Sequence, residues 1–300
     1  MYICTVIGAA LSILLPEYNT PCVRLVRSLR DMCEKVEGLE YEIIVLDDCS
    51  KYKAVIEENE KVNELGNCKF VRLEKNVGSG AVRNALAKMA RHEWLLFMDC
   101  DVALTNSYYI RNYLEMCADK DCNVVNGGIA IGGTVGTVRG NIRYMYEKAE
   151  EHKHTANERR QRPYQAFRST NFLVRKSIMT DHPFDERLRR YEDVLFGKEM
   201  HDNGIEIKHI SNPVMMGAFE HNGEFIAKVE KNLDVLYEYR NELEGYSPIL
   251  SLTKRIRPLL PLVKLWHRLF GPREKQNLTG YSPSLRLLRL YQLGYYVSKL

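Results

Sequence analysis

Two aspartates one residue apart, Asp99 and Asp101, directly follow an apolar run that begins at Trp94. Such a run predicts a strand buried on both faces, and the end of this kind of strand is where an open α/β sheet presents reactive side chains. Two carboxylates there are costly to desolvate unless a positive group meets them. Hard oxygen ligands suit Mg²⁺ or Mn²⁺, so the pair indicates a divalent cation that holds a phosphorylated substrate. Taken alone, the same residues could also cap a helix in a solvated turn.

Two further polar segments follow apolar runs in the same way. Asp47 and Asp48 could cap a helix, or they could accept hydrogen bonds from the base or ribose of a nucleotide. Residues 76–80, NVGSG, could form a tight connection, or they could bring the backbone close to a diphosphate at a helix N-terminus. Arg83 stands where a dinucleotide-binding fingerprint has its third glycine, so we interpret it as a donor to a phosphate or a base.

Glu192 and Asp193 follow three nearby arginines and open an amphipathic stretch. Acids are favoured in the first turn of a helix by the helix dipole, which is one explanation for the pair. The other is a general base held at a helix start near the edge of the sheet. These residues alone leave both interpretations open.

Strand-like and helical patterns alternate along the chain, which predicts parallel βαβ units in a doubly wound sheet. The acidic and glycine-rich segments should then gather along one carboxyl edge of that sheet. Strands are predicted at 11–15, 41–48, 68–74, 94–102, 123–131, 168–175 and 206–210. Helices are predicted at 21–36, 52–65, 81–91, 106–118, 143–162, 191–202 and 225–243.

The composition is that of a globular protein, but the charge is unevenly distributed. The 300 residues are 45% hydrophobic and 27% charged, with a net charge of +4. Residues 246–300 contain ten Lys or Arg and one acid, so they carry +9 and the first 245 residues carry −5. None of the eight cysteines has C-x-x-C spacing, which indicates reduced thiols in a cytoplasmic protein rather than a disulfide frame or a zinc site.

The basic C-terminal region contains two segments, 252–270 and 285–300, in which cations alternate with bulky apolar residues. This pattern predicts peripheral contact with an anionic membrane, on the inner face of the cell membrane, without a spanning segment. Packing of two helices on the rest of the chain or on a second subunit is the alternative. Nucleic acid is disfavoured, because the cations stand among aliphatic residues and not in a polar groove.

Five segments in order carry a resemblance to a known family: SILLPEYN, EIIVLDDCS, NVGSGAVRNALAKMARHEWLLFMDCD, FRSTNFLVRKSIM, and FDERLRRYEDVLFGKEM followed by ISNPV. Over residues 11–243 the chain resembles the family 2 glycosyltransferases. The resemblance implies a GT-A fold, which is an α/β fold with a mostly parallel, Rossmann-like central sheet flanked by helices. We expect a catalytic domain at 1–245, with a nucleotide-binding half at about 11–105 and an acceptor half at about 106–245, and a basic helical extension at 246–300.

The resemblance also implies inverting transfer from a nucleotide-sugar to a hydroxyl of a glycan or lipid-linked saccharide, with Mn²⁺ or Mg²⁺ as cofactor. Asp193 matches the catalytic base, and Asp99 and Asp101 match the family's Asp-x-Asp, with Asp101 on the metal and Asp99 near ribose or metal. The other implied positions are Pro16, Tyr18, Asp48, Asn76, Gly78 and Arg83 for the donor, and Ser169, Thr170, Asn171 and Glu192 for the acceptor side.

One position departs from the family pattern. Met216 stands where relatives often place a histidine as a further metal ligand, and a thioether is a poor ligand for Mg²⁺ or Mn²⁺. His209 and His221 are nearby in sequence, but neither aligns with that position. Met216 therefore leaves open a non-catalytic relative that binds a nucleotide-sugar. An NAD(P)-binding oxidoreductase on a similar sheet is a second alternative, and the Asp-x-Asp pair and Arg83 argue against it.

Overall fold

The computed structural model describes residues 10–133 and 138–300, in which strands and helices alternate over the first half. The strands are β1 Ala10–Glu17, β2 Glu40–Asp47, β3 Cys68–Arg72, β4 Trp94–Met98, β5 Val102–Leu104, β6 Val124–Asn126, β7 Ile129–Ile131, β8 Asn171–Arg175, β9 Ile207–His209 and β10 Val214–Met216. The α-helices are α1 Val23–Cys33, α2 Lys53–Asn59, α3 Ser79–Met89, α4 Tyr109–Cys117, α5 Ile142–Glu150, α6 Ala156–Gln161, α7 Lys176–Asp181, α8 Glu192–Asp202, α9 Asn222–Glu238, α10 Pro248–Arg255, α11 Leu260–Thr279 and α12 Leu285–Lys299. Short 3-10 helices cover Glu60–Glu64, Glu151–His154 and Arg257–Leu259.

A seven-stranded sheet in the order β3-β2-β1-β4-β8-β6-β9 forms the centre of the fold. The four strands β3, β2, β1 and β4 pair in parallel, and β8 runs antiparallel to both of its neighbours. All five residues of β4 are buried, because a mostly parallel sheet is covered by helices on both faces. The mostly parallel α/β fold is therefore confirmed.

Several predicted elements are divided in the structure. The strand expected at 94–102 ends as β4 at Met98 and a separate strand, β5, begins at Val102; the helix expected at 52–65 becomes a 3-10 helix from Glu60. The strand expected at 123–131 is broken into β6 and β7 at Gly127 and Gly128, where a Cβ atom would collide with the Tyr113 hydroxyl and the Arg159 guanidinium respectively. The long helix expected at 143–162 is divided into α5 and α6. The Thr155 hydroxyl accepts a hydrogen bond from the backbone N–H of Glu158 and so starts α6 as a separate helix.

The chain divides into two compact units. The first consists of residues up to Ala130 together with Lys153–Gly217, and it contains the seven-stranded sheet. The second consists of Ile131–His152 and Ala218–Leu300, and it contains α5 and α9 to α12. The functional division into 1–245 and 246–300 stays a prediction, because compactness does not identify the residues that catalyse. No helix within 10–133 and 138–300 combines the length and the apolar character needed to cross a bilayer.

An aromatic cluster fixes α8 against the sheet in the first unit. The rings of Phe97 on β4 and Phe172 on β8 stack with centroids 4.9 Å apart. Phe196 on α8 stacks on Phe184 at 4.7 Å, and Phe184 meets Phe172 edge-on at 6.1 Å. Because these rings are fully buried and closely packed, they hold the start of α8 beside the ends of β4 and β8.

Candidate functional site

Polar side chains follow the parallel strands at the carboxyl edge of the sheet. The register of β1 and β2 places Glu17 opposite Asp47, and Asp99 follows the last residue of β4. Because β1, β2 and β4 are parallel, these ends lie at the same edge. This edge is where the sequence predicts donor-binding residues.

Asp48 organises the loop between β3 and α3. Its carboxylate accepts hydrogen bonds from the Asn76 side-chain amide at 2.8 Å and from the backbone N–H groups of Val77 and Gly78 at 2.6 and 2.9 Å. Gly78 has φ +95°, which favours glycine. Burial raises the pKa of Asp48, and the two backbone N–H donors oppose this shift. The predicted donor residues Asp48, Asn76 and Gly78 therefore lie in one hydrogen-bonded group.

Pro16 and Tyr18 lie at the end of β1, beside two residues with left-handed backbone. Pro16 pairs with Leu46 in the β1–β2 ladder, and the Tyr18 side chain is 43% exposed. The next residue, Asn19, has φ +54°, and Cys49 after β2 has φ +63°. Cys49 is the less common case, because asparagine tolerates this region better than most other side chains.

Arg83 lies inside the fold and forms an ion pair with Asp99. Its guanidinium also donates to the Ser79 hydroxyl and to the Ser169 carbonyl oxygen, the latter at 3.3 Å, and the residue is only 3% exposed. The backbone N–H of Asp99 donates to the Thr170 carbonyl oxygen at 3.0 Å. Burial raises the pKa of Asp99, and the neighbouring Arg83 opposes the rise.

A continuous set of hydrogen bonds joins Asp99 to the start of α8. The Ser79 hydroxyl, which accepts from Arg83, donates to the Glu192 carboxylate at 2.6 Å. Asp193 is the next residue on α8. Tyr191, the residue before Glu192, has a left-handed backbone with φ +63°, which is strained for a residue with a bulky side chain.

The pKa of the Asp193 carboxyl group is higher than that of an ordinary aspartate. Burial raises its pKa to about 6, and the negative charge of Glu192 adds to the rise. The cations Arg168 and Arg83 and the Val194 backbone N–H, which donates to Asp193 at 2.9 Å, oppose the shift. A carboxylate with this pKa is mostly ionised at neutral pH and is a stronger base than an ordinary aspartate.

Asp101 is the exposed carboxylate of the Asp-x-Asp pair. Within 10–133 and 138–300 it accepts no hydrogen bond and forms no ion pair, so its oxygens are available to a ligand. Met216 lies beside it, since Met216 on β10 pairs with Val102 on β5. In the described parts of the chain no group of three or more His, Cys, Asp or Glu could hold a metal ion. A divalent cation at these two aspartates would therefore need phosphate oxygens and water as its remaining ligands.

His209 is not available as a replacement metal ligand. It is buried in β9, where one ring nitrogen contacts Arg159 at 2.9 Å and the other contacts the Pro163 carbonyl oxygen at 2.9 Å. Burial lowers its pKa to about 4, so the ring is neutral. Because both nitrogens are occupied, the histidine stabilises the fold. His221 lies in the second unit, directly before α9.

Among the predicted acceptor-side residues, Asn171 points into the interior. Its side-chain oxygen accepts from the hydroxyls of Tyr109 and Tyr113 at 2.6 and 2.7 Å. Its amide donates to the carbonyl oxygens of Gly128 and Asn212 at 2.8 and 2.9 Å. The side chain has its full complement of partners inside the protein, so its predicted contact with an acceptor receives no support from this placement.

Sequence reasoning missed Glu17, which is almost fully buried at the end of β1. Burial raises its pKa to about 7, and the charge of Asp47 adds to the rise, although the Thr20 backbone N–H donates to it at 2.6 Å. The signal was present, because Glu17 ends an apolar strand in the same way as Asp47. Ser79 was also missed, since a serine in a glycine-rich loop carries no distinctive pattern.

Comparison with known proteins agrees with this architecture. By sequence, the chain is 34% identical to the chondroitin synthase of Escherichia coli over 37% of its own length and 16% of that protein's. It is 26% identical to the poly(ribitol-phosphate) beta-N-acetylglucosaminyltransferase TarS of Staphylococcus aureus over 76% of its own length and 38% of that protein's. The chain thus spans well under half the length of these curated relatives.

Solved structures show the same fold. The crystal structure of residues 1-349 of S. aureus TarS in complex with UDP aligns with a TM-score of 0.52 at 20% identity, covering 96% of this chain and 89% of that one. A glucosyl-3-phosphoglycerate synthase of Mycobacterium tuberculosis in complex with Mn²⁺, UDP and phosphoglyceric acid aligns with a TM-score of 0.50 at 15% identity, covering 79% of each chain. Residues 12–182 match the sequence profile of Glycosyl transferase family 2, more than half of the chain. The fold is GT-A, and the chain belongs to glycosyl transferase family 2.

Proposed function

We propose that this chain transfers a sugar from a nucleoside-diphosphate sugar to a hydroxyl of a glycan or lipid-linked saccharide, with inversion at the anomeric carbon. The observation that carries the proposal is the hydrogen-bonded connection from Asp99 through Arg83 and Ser79 to Glu192, beside Asp193. It links a carboxylate suited to a donor and its metal with a carboxylate suited to proton abstraction. Family membership and the UDP bound to TarS support a nucleotide-sugar as donor.

Asp193 acts as the general base. Its carboxylate takes the proton from the acceptor hydroxyl as that oxygen bonds to the anomeric carbon, and the carbon–oxygen bond to the diphosphate breaks with its electron pair leaving on phosphate. Because burial raises the pKa of Asp193 to about 6, the ionised carboxylate is present at neutral pH and accepts a proton readily. Binding of the acceptor and the donor at one edge of the sheet also orients the reacting atoms, which lowers the barrier to transfer.

Arg83 and the Asp-x-Asp pair act on the leaving diphosphate. The Arg83 guanidinium is positioned by Asp99 and Ser79, so its positive charge is fixed before the donor arrives. Asp101, with Asp99, would hold Mn²⁺ or Mg²⁺, which when bound supplies positive charge to the diphosphate. Met216 adds no good ligand for such an ion, so metal affinity depends on these carboxylates and the donor phosphates.

The remaining predicted residues complete the proposal. Pro16, Tyr18 and the group formed by Asp48, Asn76 and Gly78 bind the nucleotide. The acceptor side consists of Ser169, Thr170, Asn171 and Glu192; the first two have backbone oxygens that position Arg83 and Asp99, and Asn171 acts by shaping the interior. We propose that catalysis resides in residues 1–245 and that 246–300 contacts an anionic membrane on its cytoplasmic face.

Nucleotide binding tests the proposal directly. Thermal unfolding is measured with UDP, GDP or NAD, each with and without Mn²⁺, for the wild type and for Asp101→Asn. We expect UDP or GDP to raise the melting temperature when Mn²⁺ is present, and Asp101→Asn to lose the Mn²⁺-dependent part. Stabilisation by NAD alone would reject the transferase. Nucleotide binding without release of nucleoside diphosphate from any tested nucleotide-sugar would favour the non-catalytic alternative that Met216 leaves open.

A further inference from the structure

Helix α11 presents an apolar stripe to solvent. Leu262, Leu265, Trp266 and Leu269 have the spacing i, i+3, i+4 and i+7, which places them on one face of the helix. Their exposed fractions are 64%, 53%, 48% and 59%. Leu259, in the 3-10 turn just before α11, is 52% exposed. Neighbouring large apolar side chains are rarely left in water, and such a patch marks an interaction surface.

The Trp266 side chain of the stripe is held in place by two other side chains of α11. The Trp266 indole N–H donates to the Glu274 carboxylate at 2.9 Å, and its ring packs against Phe270 with centroids 4.3 Å apart. Glu274 is 4% exposed and is the single acid among residues 246–300. The indole is therefore ordered before any partner binds, and the one acid of the region contributes little negative charge to the surface.

Cations without a carboxylate partner stand close to the stripe in sequence. Residues 252–273 contain six Lys or Arg and no acid: Lys254, Arg255, Arg257, Lys264, Arg268 and Arg273. Lys254 pairs with Glu244, whereas the other five, all exposed, have no carboxylate partner among residues 10–133 and 138–300. Arg273 follows Leu269 by four residues, so it continues the same face.

Helix α12 resembles α11 in sequence but is used differently. Two of its three cations are paired within the second unit, Arg289 with Glu150 at 3.0 Å and Lys299 with Asp234 at 2.8 Å, while Arg286 is exposed. Its apolar side is buried, including Tyr291, whose hydroxyl donates to Glu230. The structure thus separates the two basic amphipathic segments into a packing helix and a helix with a free face.

We propose that the exposed face of α11 lies flat on an anionic membrane, with its leucines and Trp266 at the acyl boundary and its arginines at lipid phosphates. Amphipathic helices with a cationic surround bind in this way without spanning. Charge favours lipid over a second copy of the chain, because two such faces would bring Arg268 and Arg273 of both copies together without compensating acids. This inference rests on the membrane contact proposed above and not on the proposed transfer.

Vesicle sedimentation of the full chain tests the inference. The vesicles are phosphatidylcholine, alone or mixed with phosphatidylglycerol, without donor or acceptor. Wild type should sediment with the vesicles that contain phosphatidylglycerol and not with those of phosphatidylcholine only. The double variant Leu265→Glu, Leu269→Glu should bind at least about thirtyfold more weakly, because two half-exposed leucines can no longer be buried in lipid. The matched control is Leu290→Glu, at a residue on α12 that is 46% exposed, which should bind like wild type. Arg268→Gln and Arg273→Gln should each weaken binding about fivefold at low salt.

Thermal unfolding shows whether each variant folds, which is expected because the changed side chains face solvent. Equal sedimentation of wild type and the double variant would overturn the inference, as would absence of sedimentation of wild type. A wild-type dimer that the double variant converts to a monomer would also overturn it, because a second copy would then cover the face. Since no donor is present, a negative result leaves the proposed transfer untouched.

Discussion

Asp193→Asn should abolish transfer and at the same time stabilise the protein. The amide keeps the shape of the side chain and can still accept from the Val194 backbone N–H, but it cannot take a proton. General bases contribute typically about 10²–10⁴-fold, so release of nucleoside diphosphate should fall by that factor while donor binding is nearly unchanged. In the wild type, a pKa of about 6 predicts a rate roughly tenfold below its plateau at pH 5.

The stability change follows from the same pKa. The pKa of Asp193 rises from 3.8 to about 6 on folding, so ionisation costs the folded state at most about 3 kcal/mol above pH 6. This cost develops as the pH rises between these two values and is absent below pH 3.8, where the carboxyl is protonated in both states. Asparagine never ionises, so the variant should unfold several degrees higher at pH 7.5 and at the same temperature as wild type near pH 3.5.

The matched control is Asp119→Asn, at a carboxylate whose pKa Lys208 lowers through a hydrogen bond. The same chemical change there should reduce stability slightly at neutral pH and leave activity unchanged. Differential scanning fluorimetry and nucleoside-diphosphate release measure the two properties on the same samples. Wild-type turnover by Asp193→Asn would remove Asp193 as the base. A variant less stable than wild type at pH 7.5 would refute the burial argument, whatever its activity.

Three further substitutions probe groups around the same edge. Arg83→Gln should cost about 3 kcal/mol in urea unfolding, because it leaves the Asp99 carboxylate without its cation; a loss below about 1 kcal/mol would show that solvent already screens the pair. Asn171→Leu should cost more than about 4 kcal/mol or prevent folding, since four buried partners lose their hydrogen bonds, and a soluble variant of normal stability would contradict this. Glu17→Gln should raise the melting temperature at pH 8 and leave it unchanged at pH 4, because the glutamate pKa of about 7 shows that its ionised form is unfavourable in the folded state. Equal melting temperatures of wild type and variant at both pH values would contradict this expectation.

The sequence was sufficient for the parallel strands of the first half and for the motif positions, since both depend on local patterns. Apolar runs identified the parallel strands, and parallel strands have their carboxyl ends at one edge whatever the details of packing. Asp48, Asn76 and Gly78 could therefore be expected together. The close approach that requires a glycine at position 127 could not be foreseen, because the Tyr113 hydroxyl that a Cβ atom would meet comes from a different element.

What only the tertiary structure decided is the partner of each polar group. Asn171 carries the same motif signal as its neighbours, yet its side chain turns inward because two tyrosines and two carbonyl groups satisfy it there. Residues 252–270 and 285–300 have the same alternation of cations and apolar side chains. In α12 two of the three cations are paired and most apolar side chains are covered. In α11 four large apolar side chains are exposed, and Lys264, Arg268 and Arg273 have no carboxylate partner among residues 10–133 and 138–300. Burial and pairing are set by residues distant in sequence, so a local pattern can predict an element but not the partners that surround it.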